Sequence, residues 1–541
     1  MKIKSIIIPL ISSLLIISLL LASCSTTQAT TTPATTITTT KTTTTPPVTT
    51  AATTTTAATS TTPVTSTVLT VVNGTTTQNY TISQLKALPP TTGYGATKNK
   101  AGAITGPNTY VGATLTSLIK AAGGMTSNEQ VTITAQDGYS KTLTYAQVYQ
   151  GTFSVYDKNG NPATAGTQPF VSLVYSMDGN DLATTIGPVE MGIMTASDQA
   201  SDASMWIKLT NKIEIIPTTR TVIDSTGATI TIPYVVNRVA DAWHANNEIV
   251  FLLGGASKLV ATTTIFQALP WAQKLYPQII TIPAPFTATA GQVNMETLIA
   301  AHPDVLLVSA GSFTADSMAQ FKTANIPVVQ MPAATFVDLK TTVRITGDVL
   351  GGQAVSIAAD YINYLNTNIQ KVTAVTSTIP AAQKPNVFHT SQYLILSTDG
   401  ANSLIDAWIN YAGGIDVASK DITGNQKAVT AEQIAAWNPD IIIVGTAPNS
   451  DNVKAILSDP KWSSTNAVKN KKVIANPTGV YLWDRYSAEE ALQILWAAKL
   501  LYPDKFTNID INQETKNFYS KYFHYTLSDS DLNSIMNATA P

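Results

Sequence analysis

Residues 294–311 read NMETLIAAHPDVLLVSAG and residues 430–447 read TAEQIAAWNPDIIIVGTA, and the two align without a gap, 136 residues apart. Each copy pairs a helical stretch, with a glutamate in its first turn, to a Pro-Asp break and then an unbroken apolar run ending at small residues. Apolar residues without alternation indicate a strand buried on both faces of a parallel sheet, and helix followed by such a strand is half of a βαβ layer. A repeat of this kind predicts two similar α/β lobes.

Between the copies lies a different pattern. Val337 to Leu350 is helical, Gly351-Gly352 interrupts it, and Ala354, Ile357, Ala358, Tyr361, Leu365, Ile369 and Val372 mark one face of a helix continuing to about Thr376. Some 24 residues at about 1.5 Å each span about 36 Å, the height of a domain. One stiff helix joining two lobes permits only slight opening and closing.

The stretches NRVADAWHANNEIVFLLGGASKLVATTT (237–264) and KVIANPTGVYLWDRYSAEEALQILWAAKLLYPDKF (472–506) add a strand, cleft loop and helix at either end. With the repeat and the strut they make residues 218–541 resemble the class III substrate-binding proteins of ABC importers, which carry ferric siderophores, haem and cobalamin. The resemblance implies two Rossmann-like lobes (218–336 and 377–541) joined by a linking helix (337–376). It also implies a metal-chelate ligand, a partner permease with a separate ATPase, and no enzymatic activity. In that family a glutamate at the position of Glu296 and of Glu432 docks against permease arginines.

Ligands of open α/β layers sit outside the carboxyl ends of the strands. That rule singles out Trp243, His244, Thr264, Ser309, Thr335 and Phe336 in the first lobe, and His389, Tyr393, Thr446, Trp483 and Arg485 in the second. Aromatic rings and an arginine suit a planar or chelated anion. Each has a plainer role: Trp483 as packing, Arg485 paired with Glu489 one turn on, and the histidines as satisfied loop residues. His302 reads as structural because its repeat counterpart is Asn438, and His524 reads as packing in a C-terminal helix.

Residues 68–217 precede this unit. Strands are predicted over Val68–Val72, Val131–Ala135 and Trp206–Ile216, helices over Thr81–Leu88 and Val111–Ala122, and a loop over Thr184–Met194. TYVGATLTSLIKAAGG (109–124), VTITAQDGYSKTLTYAQV (131–148) and SMDGNDLATTIGPVEMGI (176–193), in this order, resemble the molybdopterin-binding domain of sulfite-oxidase-like proteins. That family holds its metal through a cysteine thiolate, and this segment contains no cysteine, so a cofactor-free copy acting as spacer, accessory binding module or contact surface is the expectation.

Cysteine occurs once, at Cys24. This excludes disulfides, Cys-based zinc sites and thiol nucleophiles from the folded part. Lys2, Lys4 and the apolar run Ile6–Leu21 form a secretory signal over residues 1–23, and Leu21-Ala22-Ser23-Cys24 resembles the bacterial lipoprotein box, with Cys24 the lipidated residue. From Thr26 to Ser66, 24 of 41 residues are threonine, so the linker 24–67 has little to bury and should be a disordered tether. The protein is thus expected outside the cytoplasm, anchored to the outer face of the cytoplasmic membrane.

Thirty-two Lys and Arg nearly balance 34 Asp and Glu, and only 12% of residues are charged, so no field exists to gather nucleic acid. No G-x-x-x-x-G-K-[ST] loop is present, which assigns ATP work to another subunit. No resident cofactor, no metal site and a monomeric state are expected. A molybdopterin oxidoreductase fused to a sensor, or a surface adhesion or scaffold protein, are the alternative readings.

Overall fold

A computed structural model of the chain describes residues 66–287, 291–391, 396–445 and 451–541. The signal sequence, Cys24, the Thr-rich stretch to residue 65, Tyr393 and Thr446 lie outside the described residues.

Residues 66–217 form two sheets. One has five strands in the order Thr76–Tyr80, Leu69–Asn73, Thr210–Pro217, Glu129–Ala135, Ser140–Thr144. The second is built around Thr91–Lys98, Ile104–Thr114 and Phe170–Met177. Leu118, Ile119, Val131, Ile133, Leu173 and Ile213 are buried in their shared core.

Two expectations change here. Val111–Thr114 ends the strand Ile104–Thr114 rather than starting a helix, because Val111 to Thr114 pair with Ser172 to Ser176 across the sheet. The helix begins at Leu115, with the Thr114 hydroxyl accepting from the Ser117 N–H as its cap. The last five residues of the supposed loop, Glu190–Met194, form a fully buried strand paired antiparallel to Phe170–Met177. Gly187-Pro188 had masked that apolar run.

Residues 218–541 begin with the hairpin Thr219–Ile223/Thr229–Pro233 and keep cores of their own. The first-lobe sheet is parallel throughout, ordered Leu259–Ala261, Val239–Asp241, Val305–Ser309, Val328–Met331. The second-lobe sheet, also parallel, is ordered Ile415–Asp416, Asn386–Thr390, Ile441–Val444, Val473–Ala475. Both repeat strands occupy the third place in their sheets.

The preceding helices are Met295–Ala300 and Ala431–Trp437, capped by the Asn294 and Thr430 side chains. His302 and Asn438 follow them in left-handed conformations, φ 43° and 46°. The two residues end equivalent helices in the same way, which explains why a histidine and an asparagine interchange there.

The strut comprises Phe336–Leu350 and the 24-residue helix Gln353–Thr376. Gly351 and Gly352 between them have φ of 69° and 57°, which favour glycine. The exposed carbonyls at the end of the first helix are capped from outside: Arg220 donates to Asp348 and Val349, and Lys258 to Leu350. The long helix lays Ala354, Ala358, Tyr361, Leu365 and Val372 into the core, beside the helix Glu490–Leu501, of which Glu490 to Ala498 are all buried.

Candidate ligand cleft

The strand Val239–Asp241 delivers the chain to the cleft. Asp241, fully buried, accepts from the Trp243 N–H at 3.0 Å and from Asn246 Nδ2 at 2.8 Å, which fixes the turn into the helix His244–Leu252. Burial raises its carboxyl to about 8 against those two donors, so it is held as the neutral acid at pH 7.

On the other side, the segment Tyr481–Tyr486 runs from the strand Val473–Ala475 toward the helix Glu490–Leu501. Trp243 meets Tyr486 at 4.7 Å between ring centroids, and His244 meets Tyr481 at 5.7 Å. Around these rings lies a cavity of about 260 Å³, completed by Leu404 and Ile405 and by the polar Asp399, Asn425, Gln426 and Arg485. Burial and then the Arg485 charge push the His244 imidazole down to about 4, so it enters the site neutral.

Arg485 is anchored from behind. Asp484 accepts its Nε at 3.1 Å and its Nη2 at 3.0 Å, and His389 Nε2 lies 2.6 Å from Asp484 Oδ2. Burial acts to raise the Asp484 carboxyl, but the Arg485 charge and the His389 contact outweigh it and hold the group below the usual carboxylate range. The cleft therefore offers ring faces, amides, one carboxylate and a guanidinium already oriented. Such a surface binds and orients a ligand. Among the described residues no three His, Cys, Asp or Glu side chains converge as a metal set.

Residues 242–478 match the family model described as periplasmic binding protein. The C-terminal unit has the class III periplasmic-binding-protein fold. The molybdate-binding protein MolA of Haemophilus influenzae is 26% identical over 333 residues, covering 56% of this chain and 91% of its own. YvrC of Bacillus subtilis, an uncharacterized ABC transporter substrate-binding lipoprotein, is 26% identical over 307 residues, covering 55% and 90%. A periplasmic solute binding protein from Veillonella parvula, of known crystal structure, has a TM-score of 0.52 at 26% identity, covering 59% of this chain and 97% of its own.

Within the C-terminal unit the residues singled out from sequence fall into two groups. Trp243, His244 and Arg485 line the cavity. The other described ones are placed elsewhere. Thr264 is an exposed first residue of the short helix Thr264–Gln267, and Ser309, half-buried, turns its carbonyl toward the Ser312 hydroxyl. Thr335 caps the strut in a reciprocal box with Asp338, and Phe336 is buried against Tyr411, 5.4 Å between centroids. His389 stands behind Arg485 with no exposure of its own.

Trp483 is fully buried in the core, its indole N–H donating to Glu489 Oε1 at 3.0 Å. Glu489 also accepts from the Tyr481 N–H and the Tyr519 hydroxyl, which leaves it no place for Arg485. Arg485 pairs with its chain neighbour Asp484 instead. Tyr486, Leu404 and the Asn425-Gln426 pair line the cavity without having been singled out. The adjacent acid and arginine at 484–485 were the signal for a prepaid ion pair, and nothing in sequence distinguished Tyr486 from a core tyrosine.

Proposed function

We propose that this chain is the substrate-binding component of an ABC importer, and that its interlobe cleft captures an anionic, metal-containing ligand for delivery to a membrane permease driven by a separate ATPase. The observation that carries the reading is the cleft itself: both lobes contribute rings to one cavity, and a pre-oriented Arg485 supplies the charge for ligand oxygens. A ferric siderophore, haem or cobalamin are the chelates the sequence suggests. The cavity volume of about 260 Å³ favours a smaller member of the class, since pockets for drug-sized ligands run from about 300 to 1,000 Å³. A small oxyanion such as molybdate, the ligand in the name of the Haemophilus relative, is the second reading.

The chain is read as lipid-anchored at Cys24 on the outer face of the cytoplasmic membrane, with residues 24–67 as tether. The lipoprotein designation of the Bacillus relative supports this. Glu296 and Glu432, both exposed on the first turns of equivalent helices, are the proposed permease contacts. Residues 68–217 are read as a cofactor-free accessory domain resembling the molybdopterin-binding type.

Thermal unfolding of the purified chain against molybdate, tungstate, ferric catecholates, haemin and cobalamin tests the reading. A true ligand at 100 times its Kd adds about 2.7 kcal/mol to the binding unit. Failure of every anionic metal ligand to raise the melting temperature would refute it.

A further inference from the structure

A line of buried polar contacts leads from the core of the second lobe to the cleft. His389, on the strand Asn386–Thr390, is fully buried and touches Asp484 Oδ2 through Nε2 at 2.6 Å. Asp484, with a side chain 1% exposed, takes Nε and Nη2 of Arg485, whose side chain is 24% exposed and borders the cavity. The carbonyl of Asp484 is itself held by Trp408 Nε1 at 3.2 Å. Because the carboxylate only accepts, His389 Nε2 carries the proton of that contact, and Nδ1 has no partner among the described residues.

Gly445 completes the arrangement. It ends the repeat strand Ile441–Val444, and a side-chain carbon there would overlap the Asp484 carboxylate and Arg485 Nη2. The small residue that closes the second copy of the repeat thus makes room for the ion pair. In the first copy the same place is taken by Ser309.

Resting on the reading of the cleft as an anion site, we infer that His389, Asp484 and Gly445 are positioning residues. They fix the Arg485 guanidinium by its Nε and Nη2 and present its Nη1 end to the ligand. An arginine held this way loses little freedom when a ligand binds, and it donates to ligand oxygens from one direction only. His389 has a second effect: its N–H draws on the Asp484 charge that would otherwise repel an incoming anion.

The test uses the full chain, labelled with ¹⁵N-arginine, with molybdate and tungstate as probes. His389→Phe and Asp484→Ala are compared with His389→Gln, whose amide can still donate to Asp484. The Arg485 Nε–H signal should be protected from exchange in the native chain and in His389→Gln, and lose protection in the other two. Probe affinity should fall about tenfold or more in His389→Phe and recover in His389→Gln. Equal protection and equal affinity in all four proteins would overturn the inference while leaving the anion site standing. Protection lost as described, with neither probe bound by the native chain, would uphold the positioning role and remove the small-oxyanion reading of the cleft.

Discussion

Glu248, on the helix that opens the first lobe, accepts a hydrogen bond of 2.9 Å from the backbone N–H of Ala488 in the second. The Ala488 carbonyl accepts from the Tyr361 hydroxyl of the strut at 2.7 Å. Ala488 is therefore held by the first lobe through its N–H and by the strut through its carbonyl, and Tyr486 adds a further link to the Pro332 carbonyl at 2.5 Å. These contacts, more than the stiffness of the helix alone, limit how far the cleft opens.

Glu248→Ala should destabilise the binding unit by about 2–4 kcal/mol, since it strands a buried N–H and leaves a cavity. Glu248→Gln keeps the acceptor and volume and should cost about 1 kcal/mol or less. Urea unfolding followed by tryptophan fluorescence measures both. Equal losses would show that charge, not the Ala488 bond, matters at this position.

Stability should fall as pH rises from about 5 to 8. Burial raises Asp241 to about 8 and Asp416 to about 7, and it raises Glu490, both of whose oxygens lack partners, well above its usual range. Of the close pair Glu248 and Glu489, three donors favour charge on Glu489, so Glu248 keeps the proton. In the unfolded chain these groups titrate near pH 4, so between about 4 and 8 the folded state binds more protons and loses stability with rising pH. Asp484 has the opposite sign, contributing above about pH 4 and losing its contribution below. A melting temperature several degrees higher at pH 5 than at pH 8 is the expected result. A rise across that interval would contradict the protonation states assigned here.

Trp483→Ala should cost about 3–5 kcal/mol by emptying a core position and leaving Glu489 without its indole donor. Trp243→Ala, at a half-buried site on the cavity wall, should cost less stability and more ligand affinity. Denaturation and ligand titration of the two variants side by side separate the roles, and a reversed pattern would exchange them.

Replacing Glu296 and Glu432 together by lysine should leave ligand affinity unchanged and suppress uptake in proteoliposomes carrying the cognate permease. Exposed charges of this kind act on orientation and association rate. Unimpaired transport would remove both from the docking surface.

The architecture was legible because it is written in periodicity. Apolar runs of four or five residues admit only a buried strand, and the seven-residue face from Ala354 to Val372 admits only a helix against a core. The cleft was half legible. Strand ends locate its loops, but within a loop such as Tyr481–Tyr486 the backbone twist decides that Arg485 reaches the cavity while Trp483, two residues away, is buried beneath it. The acids at 248, 489 and 490 were hidden for another reason: on a helix a glutamate reads as solvated, and only packing shows that these three are enclosed.

The central claim is that the interlobe cleft binds an anionic metal ligand through Trp243 and Arg485. It is tested most directly by isothermal titration of the native chain and of a Trp243→Ala/Arg485→Gln variant, with the ligand that gives the largest thermal shift. The native protein should bind one ligand per chain saturably, and the variant should lose about a hundredfold or more in affinity while its fold persists by circular dichroism. Undiminished affinity in the variant would place the ligand elsewhere and contradict the account.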